Sequence, residues 1–228
     1  MVPPYIRFLQ GTLVLRKAES FLRRAQAIAL AGHSLLSPAY DALDQSKDTK
    51  QLGLAYETFF ASHLTINLVS EVEHFFGSAV SAALRMHPEK MGTQTFKLAE
   101  IISASSQDEL ISRAAGSVLN ELMYERPNEY IKRLAAILSI DVAGLQQHWP
   151  AFVELKARRD LGVHNNWVVN EIYLRKLREA NVSSSYKLGD RLVPDFSYLS
   201  QASDICYQLV ETIANLLGEK WLPRPKPS

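Results

Sequence analysis

Apolar side chains recur at steps of three and four residues along most of this chain, the pattern of helices that each bury one face. From Phe8 to Ala31 the repeat is unbroken and stops at Gly32, which predicts a first helix. Ser34 to Lys50, SLLSPAYDALDQSKDTK, carries a proline and a run of small polar residues and reads as a connection. The clearest stripe comes next. Tyr56, Phe59, Phe60, His63, Leu64, Leu68, Val72, Phe75, Phe76, Ala79, Val80 and Ala83 fall on one face of a long helix that ends before Pro88. Ser105 precedes Asp108 at capping-box spacing and predicts a helix running to Tyr124.

Pro127 suits the first turn of a further helix, PNEYIKRLAAILS. Asp141 opens a short turn, and Pro150 marks the next start. Tyr186 to Val193, YKLGDRLV, reads as a small β-hairpin, with β-prone arms around Gly189-Asp190. After Asp195 a last helix turns Leu199, Ala202, Cys206, Leu209, Val210, Ile213, Leu216 and Leu217 inward. No internal repeat suggests a solenoid. The expectation is an all-α bundle with one hairpin: an N-terminal helix and connection over 1–48, a helical domain over 49–222, and a disordered tail over 223–228.

Composition narrows the function classes. The chain has 228 residues with 25 basic and 24 acidic side chains, a formal net charge of +1, so any polyanion site must be a local patch. The single cysteine, Cys206, excludes an intramolecular disulfide and fits a reducing cytosol. The start, MVPPYIRFLQG, lacks the regions of a secretory signal, and no apolar run approaches the ~18 residues of a membrane span, so a cytoplasmic protein off the membrane is expected. The ten glycines are scattered without a phosphate-binding loop. Glu71 and His74 have the Glu-x-x-His spacing of di-iron bundles, but no second copy of that motif occurs. His33, His63, His87 and His148 form no ligand-spaced set, so no metal or cofactor is expected.

Chemistry concentrates in Lys156 to Trp167, KARRDLGVHNNW. On a helix, Asp160 and His164 are four apart and share a face, so the carboxylate is placed to accept a hydrogen bond from the imidazole. Arg159 and His164 are five apart, about 140° around the axis and about 7.5 Å along it, so one helix does not converge both on one anion. Two copies facing across a twofold axis do, giving paired arginines and histidines in one cleft. That set meets the needs of metal-independent RNA cleavage. Histidine moves protons at the 2′-hydroxyl and the leaving 5′-oxygen, and arginine holds the phosphate. Asn165 either orients a phosphate or caps the backbone where the helix breaks. Lys156 and Arg158, with Arg175, Lys176 and Arg178, form a basic rim for RNA, and a solvated helix face explains these charges about equally well. Glu71 or Glu73 would line the cleft if their helix borders this one. Trp167 and Tyr173 are placed either to stack bases or, more simply, to pack helices.

The run RRDLGVHNNWVVNEIYLRKL resembles the signature segment of HEPN domains: Arg159, a polar residue at Asp160, three further residues, then His164. It is most similar to the prokaryotic RiboL-PSP branch, with a looser likeness from about Gln51 to Leu217. The resemblance implies a dimerising helical bundle whose paired motifs form a metal-independent endoribonuclease, leaving 2′,3′-cyclic phosphate and 5′-hydroxyl ends. Arg159 and His164 then inherit the catalytic roles and Asp160 the supporting one. A toxin or effector in a defence or stress system is implied, restrained by an antitoxin or other regulatory partner. Some related toxins carry a modifiable tyrosine two positions after the histidine. Asn166 stands there in this chain, which argues against that form of control. The alternative is a non-catalytic dimerisation module that binds RNA or a protein.

Overall fold

A computed structural model describes residues 47–92 and 95–221, with side chains from 57 to 220. The helix expected over Phe8–Ala31 and the proline-rich tail lie outside the described residues. The chain is all-α. A long helix, α1 (Lys47–Met86), is followed by a 3₁₀ turn (Pro88–Met91), α2 (Leu98–Ser103), α3 (Gln107–Met123) and α4 (Pro127–Leu138). Then come α5 (Ala143–Gln146), α6 (Trp149–His164), α7 (Glu171–Glu179) and α8 (Phe196–Trp221). Residues 47–50, read as the end of a connection, are helical and belong to α1.

Helix α1 is the spine. At 1.5 Å per residue its 40 residues reach about 60 Å, long enough for α3, α4, α6 and α8 all to pack along it. Leu68, Val72, Phe75, Phe76, Ala79, Val80 and Ala83 of the expected stripe are fully buried. Within the first part of the stripe Phe59, Phe60 and His63 are exposed instead, with the Phe59 ring edge-on to Phe60 and tilted against His63.

Helix starts follow their chemistry, with one shift of register. Ser106, not Ser105, caps α3, its Oγ accepting from the Glu109 N–H. Glu109 at the third position accepts from the N–H and hydroxyl of Ser105, the residue before the cap, at 2.7 Å each, so the acid that reaches back is Glu109 rather than Asp108. Pro127 opens α4 as expected, and Trp149-Pro150 open α6.

The hairpin is not formed. Asp190 N–H closes a turn on the Lys187 carbonyl at 3.1 Å, but the chain after the turn pairs elsewhere. Val169 donates to Asp190, Gly189 to Val169 and Leu192 to Trp167, at 2.8, 3.0 and 2.8 Å. Among the described residues the only ladder element is the bridge between Val168 and Arg191. The segment after the motif helix is irregular and leaves its backbone groups unpaired, so it recruits the arm that would have closed the hairpin.

Two apolar clusters result. The main one joins α1, α3, α4, the first half of α6, and α8. The smaller one, Ala157, Leu161, Val169, Tyr173, Leu177 and Leu192, lies beneath the second half of α6 and holds α7 against it. No helix among the described residues is long and apolar enough to cross a membrane.

Candidate active site

The motif occupies the last two turns of α6, and its end is built by an unusual reversal. Asn165 and Trp167 both donate backbone N–H groups to the Leu161 carbonyl, at 2.8 and 3.0 Å. Asn166 and Trp167 take left-handed conformations, φ 49° and 63°. For a tryptophan that backbone is strained, and tertiary packing holds it. The Trp167 ring is buried and lies against Gly162, where a Cβ would overlap the ring. Gly162 in the middle of the motif is therefore the space into which the tryptophan folds. Asn165 takes the capping role: its Nδ2 donates to the Val168 carbonyl at 2.6 Å. Asn170 caps α7, accepting from the Tyr173 N–H at 2.9 Å.

The two adjacent arginines part company. Neighbours on a helix point about 100° apart, so they cannot both face the same surroundings. Arg158 turns inward and is only 7% exposed. It donates to Glu154 at 2.8 Å and to the Tyr186 hydroxyl at 2.9 Å, and lies 4.0 Å over the Tyr198 ring. Glu154 also accepts from the Tyr173 and Tyr198 hydroxyls, at 2.7 and 3.0 Å. Burial pushes the Tyr173 and Tyr198 phenols up, and Glu154 beside them adds to the rise. Burial works against the Arg158 charge, yet Tyr198 and Glu154 hold its pKa above the ordinary value. Arg158 is thus an internal tie among α6, α7, α8 and the loop at Tyr186, which corrects its expected place on an RNA-facing rim.

Arg159 points to the other side, toward α1. Its guanidinium pairs with Glu73, which also takes Lys156, and its Nη1 lies 3.4 Å from Asp160. Glu73 therefore borders the motif, while the Nε of Arg159 is buried without a hydrogen-bond partner. Asp160 does not hold the histidine. Its Oδ2 accepts instead from Lys176 of α7 at 2.8 Å, because the small cluster brings a full cation within reach. No hydrogen bond among the described residues engages the His164 ring.

His164 is exposed on a groove of about 200 Å³ between α6 and α7. Asp160, Asn170, Tyr173 and Lys176 share its lining. Protein-family profiles, curated proteins and solved structures give no match to this chain.

The groove brings together His164, Asp160 and Lys176, with Arg159 one helical step behind Asp160. Lys176 was read only as rim and Glu73 only as conditional on packing. Both belong to the charge network, and helical spacing within α6 could not have shown either. Among the described residues no three metal-ligating side chains converge. Cys206 is wholly buried in α8 and its thiol is pushed up by burial, in keeping with a core residue.

Proposed function

We propose that the chain is a metal-independent endoribonuclease of the HEPN type, working as a homodimer. The observation that carries this reading is the His164 ring, exposed and unengaged on a groove whose other polar walls include a lysine and a carboxylate. In the reaction, the ribose 2′-oxygen attacks phosphorus while its proton passes to one imidazole. The bond from phosphorus to the 5′-oxygen breaks, and that oxygen takes a proton from the imidazolium of the second copy. The products are a 2′,3′-cyclic phosphate and a 5′-hydroxyl, with no net change in protons. Arg159 and Lys176 offset the charge that gathers on the phosphoryl oxygens. Val163 and Ile172, exposed large apolar residues at the motif end of α6 and on α7, are suited to the contact between copies. A toxin or effector under the control of a regulatory partner is the role such an activity fits.

One observation favours a second reading, a non-catalytic dimerisation module. Arg159 is already neutralised by Glu73 and Asp160, as a structural ion-pair network would be. RNA incubated with EDTA separates the two. The ribonuclease reading expects cleavage that survives the chelator, falls about 10²- to 10⁴-fold in His164→Ala, and falls about 10²- to 10³-fold in Arg159→Ala. Wild type inert toward varied RNAs, or cleavage undiminished in both variants, defeats it. So does a chain that remains monomeric at micromolar concentration.

A further inference from the structure

A second cavity, of about 210 Å³, shares part of its wall with the His164 groove. Both cavities are lined by Ala157 and Lys176, so they adjoin. Ala157 precedes His164 by seven residues, about 10 Å along α6. We propose that this second cavity is a base-binding subsite, taking one nucleobase of an RNA strand whose phosphate lies at His164. The inference rests on the ribonuclease reading and adds to it a place where the substrate is recognised.

Size restricts the occupant first. An apolar cavity of about 150 Å³ admits benzene, whereas drug-sized ligands fill roughly 300–1,000 Å³. The space here suits one heteroaromatic ring system. Its floor is aromatic: Trp149 and Tyr130 stack at 5.3 Å with their planes 17° apart, and Phe152 lies beside Trp149. Tyr124, just past the end of α3, lines the same cavity and is 86% exposed, a large ring left outside the core with a face free for stacking.

The wall also carries charge. Glu125 is part of it. One of its carboxylate oxygens takes Arg133 at 2.5 Å, while the other is buried with no hydrogen-bond donor. That second oxygen has no surface open to the cavity, so it selects nothing there. Lys156 and Lys176 at the same cavity, paired with Glu73 and Asp160, are the cations that a sugar-phosphate chain leading to His164 would draw from those carboxylates.

The test uses the isotope-labelled full chain and the indole N–H of Trp149, which donates to the Pro127 carbonyl at 3.0 Å within the cavity wall. The chain has three tryptophans, so its resonance is assigned by substitution of the others. Titration with the 3′-monophosphates of the four common nucleosides is expected to shift that signal saturably for at least one base. Ribose 5-phosphate, which lacks a base, is expected to leave it in place. Tyr124→Ala, at an exposed position, should weaken the binding at least about fivefold, in line with the loss of one base-aromatic stack. A Trp149 signal indifferent to all four nucleotides, an equal response to ribose phosphate, or unchanged affinity in Tyr124→Ala overturns the subsite. Nucleotide binding here in a protein inert toward RNA would defeat the ribonuclease reading and leave the cavity assignment standing. A His164-dependent nuclease whose Trp149 signal ignores nucleotides would defeat the cavity assignment alone.

Discussion

Replacing Arg158 with alanine should unfold the protein more readily rather than loosen its grip on RNA. Only 7% of Arg158 remains accessible to solvent. Among the described residues it is the only cation on Glu154, whose remaining hydrogen bonds there come from two neutral phenols at 2.7 and 3.0 Å. Removing one partner of a buried ion pair typically costs about 3–5 kcal/mol. The two phenols still solvate the carboxylate, which places Arg158→Ala near the lower end, about 3 kcal/mol. For a chain of this length each kcal/mol moves the melting temperature by roughly 2–4 °C, so the loss amounts to roughly 6–12 °C. Urea unfolding followed by far-ultraviolet circular dichroism reads it as a lower midpoint at unchanged slope. Lys187→Ala, at an exposed position on the neighbouring loop, should remain within about 0.5 kcal/mol of wild type. In a double-mutant cycle, Glu154→Gln and Arg158→Ala should couple by at least about 1 kcal/mol. An Arg158→Ala variant of normal stability that has lost RNA binding would refute the internal assignment and return this arginine to the surface.

Three further outcomes follow from particular contacts. Gly162→Ala gains roughly 1 kcal/mol of helix propensity but loses more through overlap with the Trp167 ring, for a net destabilisation of about 1–2 kcal/mol. A shifted near-ultraviolet tryptophan signal should accompany it, and a stabilised variant would show that the ring does not need that space. The Glu109 carboxyl is held down at about 2 by the Ser105 N–H, the Ser105 hydroxyl and Arg113. Its folded value lies below the unfolded 4.5, so its contribution to stability is full above 4.5 and is lost as pH falls toward about 2. Glu109→Gln should therefore remove part of the acid-side slope, and a carboxyl NMR titration with a midpoint near 4.5 would contradict the capping geometry. Glu73→Gln frees Arg159 and Lys156 from their shared carboxylate and should tighten binding of a short RNA several-fold at low salt, with a steeper salt dependence. Fluorescence anisotropy unchanged by that substitution would mean that Glu73 and phosphate do not compete.

Periodicity along the chain was enough to place most of the helices, because burial of one face at a 3.6-residue repeat is a local property written into each segment. Pro127 and Pro150 marked the helix starts for an equally local reason: proline's missing N–H is harmless in a first turn. The end of α6 near Asn165 was legible as a break in the pattern. Long-range choices were not. Whether Arg158 or Arg159 entered the interior depended on where the Glu154, Tyr173 and Tyr198 oxygens were brought together, from three different helices. The partner of Asp160 turned on Lys176 arriving from α7, and the partner of Arg159 on Glu73, which lies 86 residues earlier. The arm after Gly189 had the local chemistry of a hairpin, but it paired with Trp167–Val169, where unsatisfied backbone groups were waiting. A side chain's direction around its own helix is set by spacing; the groups it meets there are set by packing of distant elements, because ion pairs and hydrogen bonds act only between atoms already brought within a few ångströms.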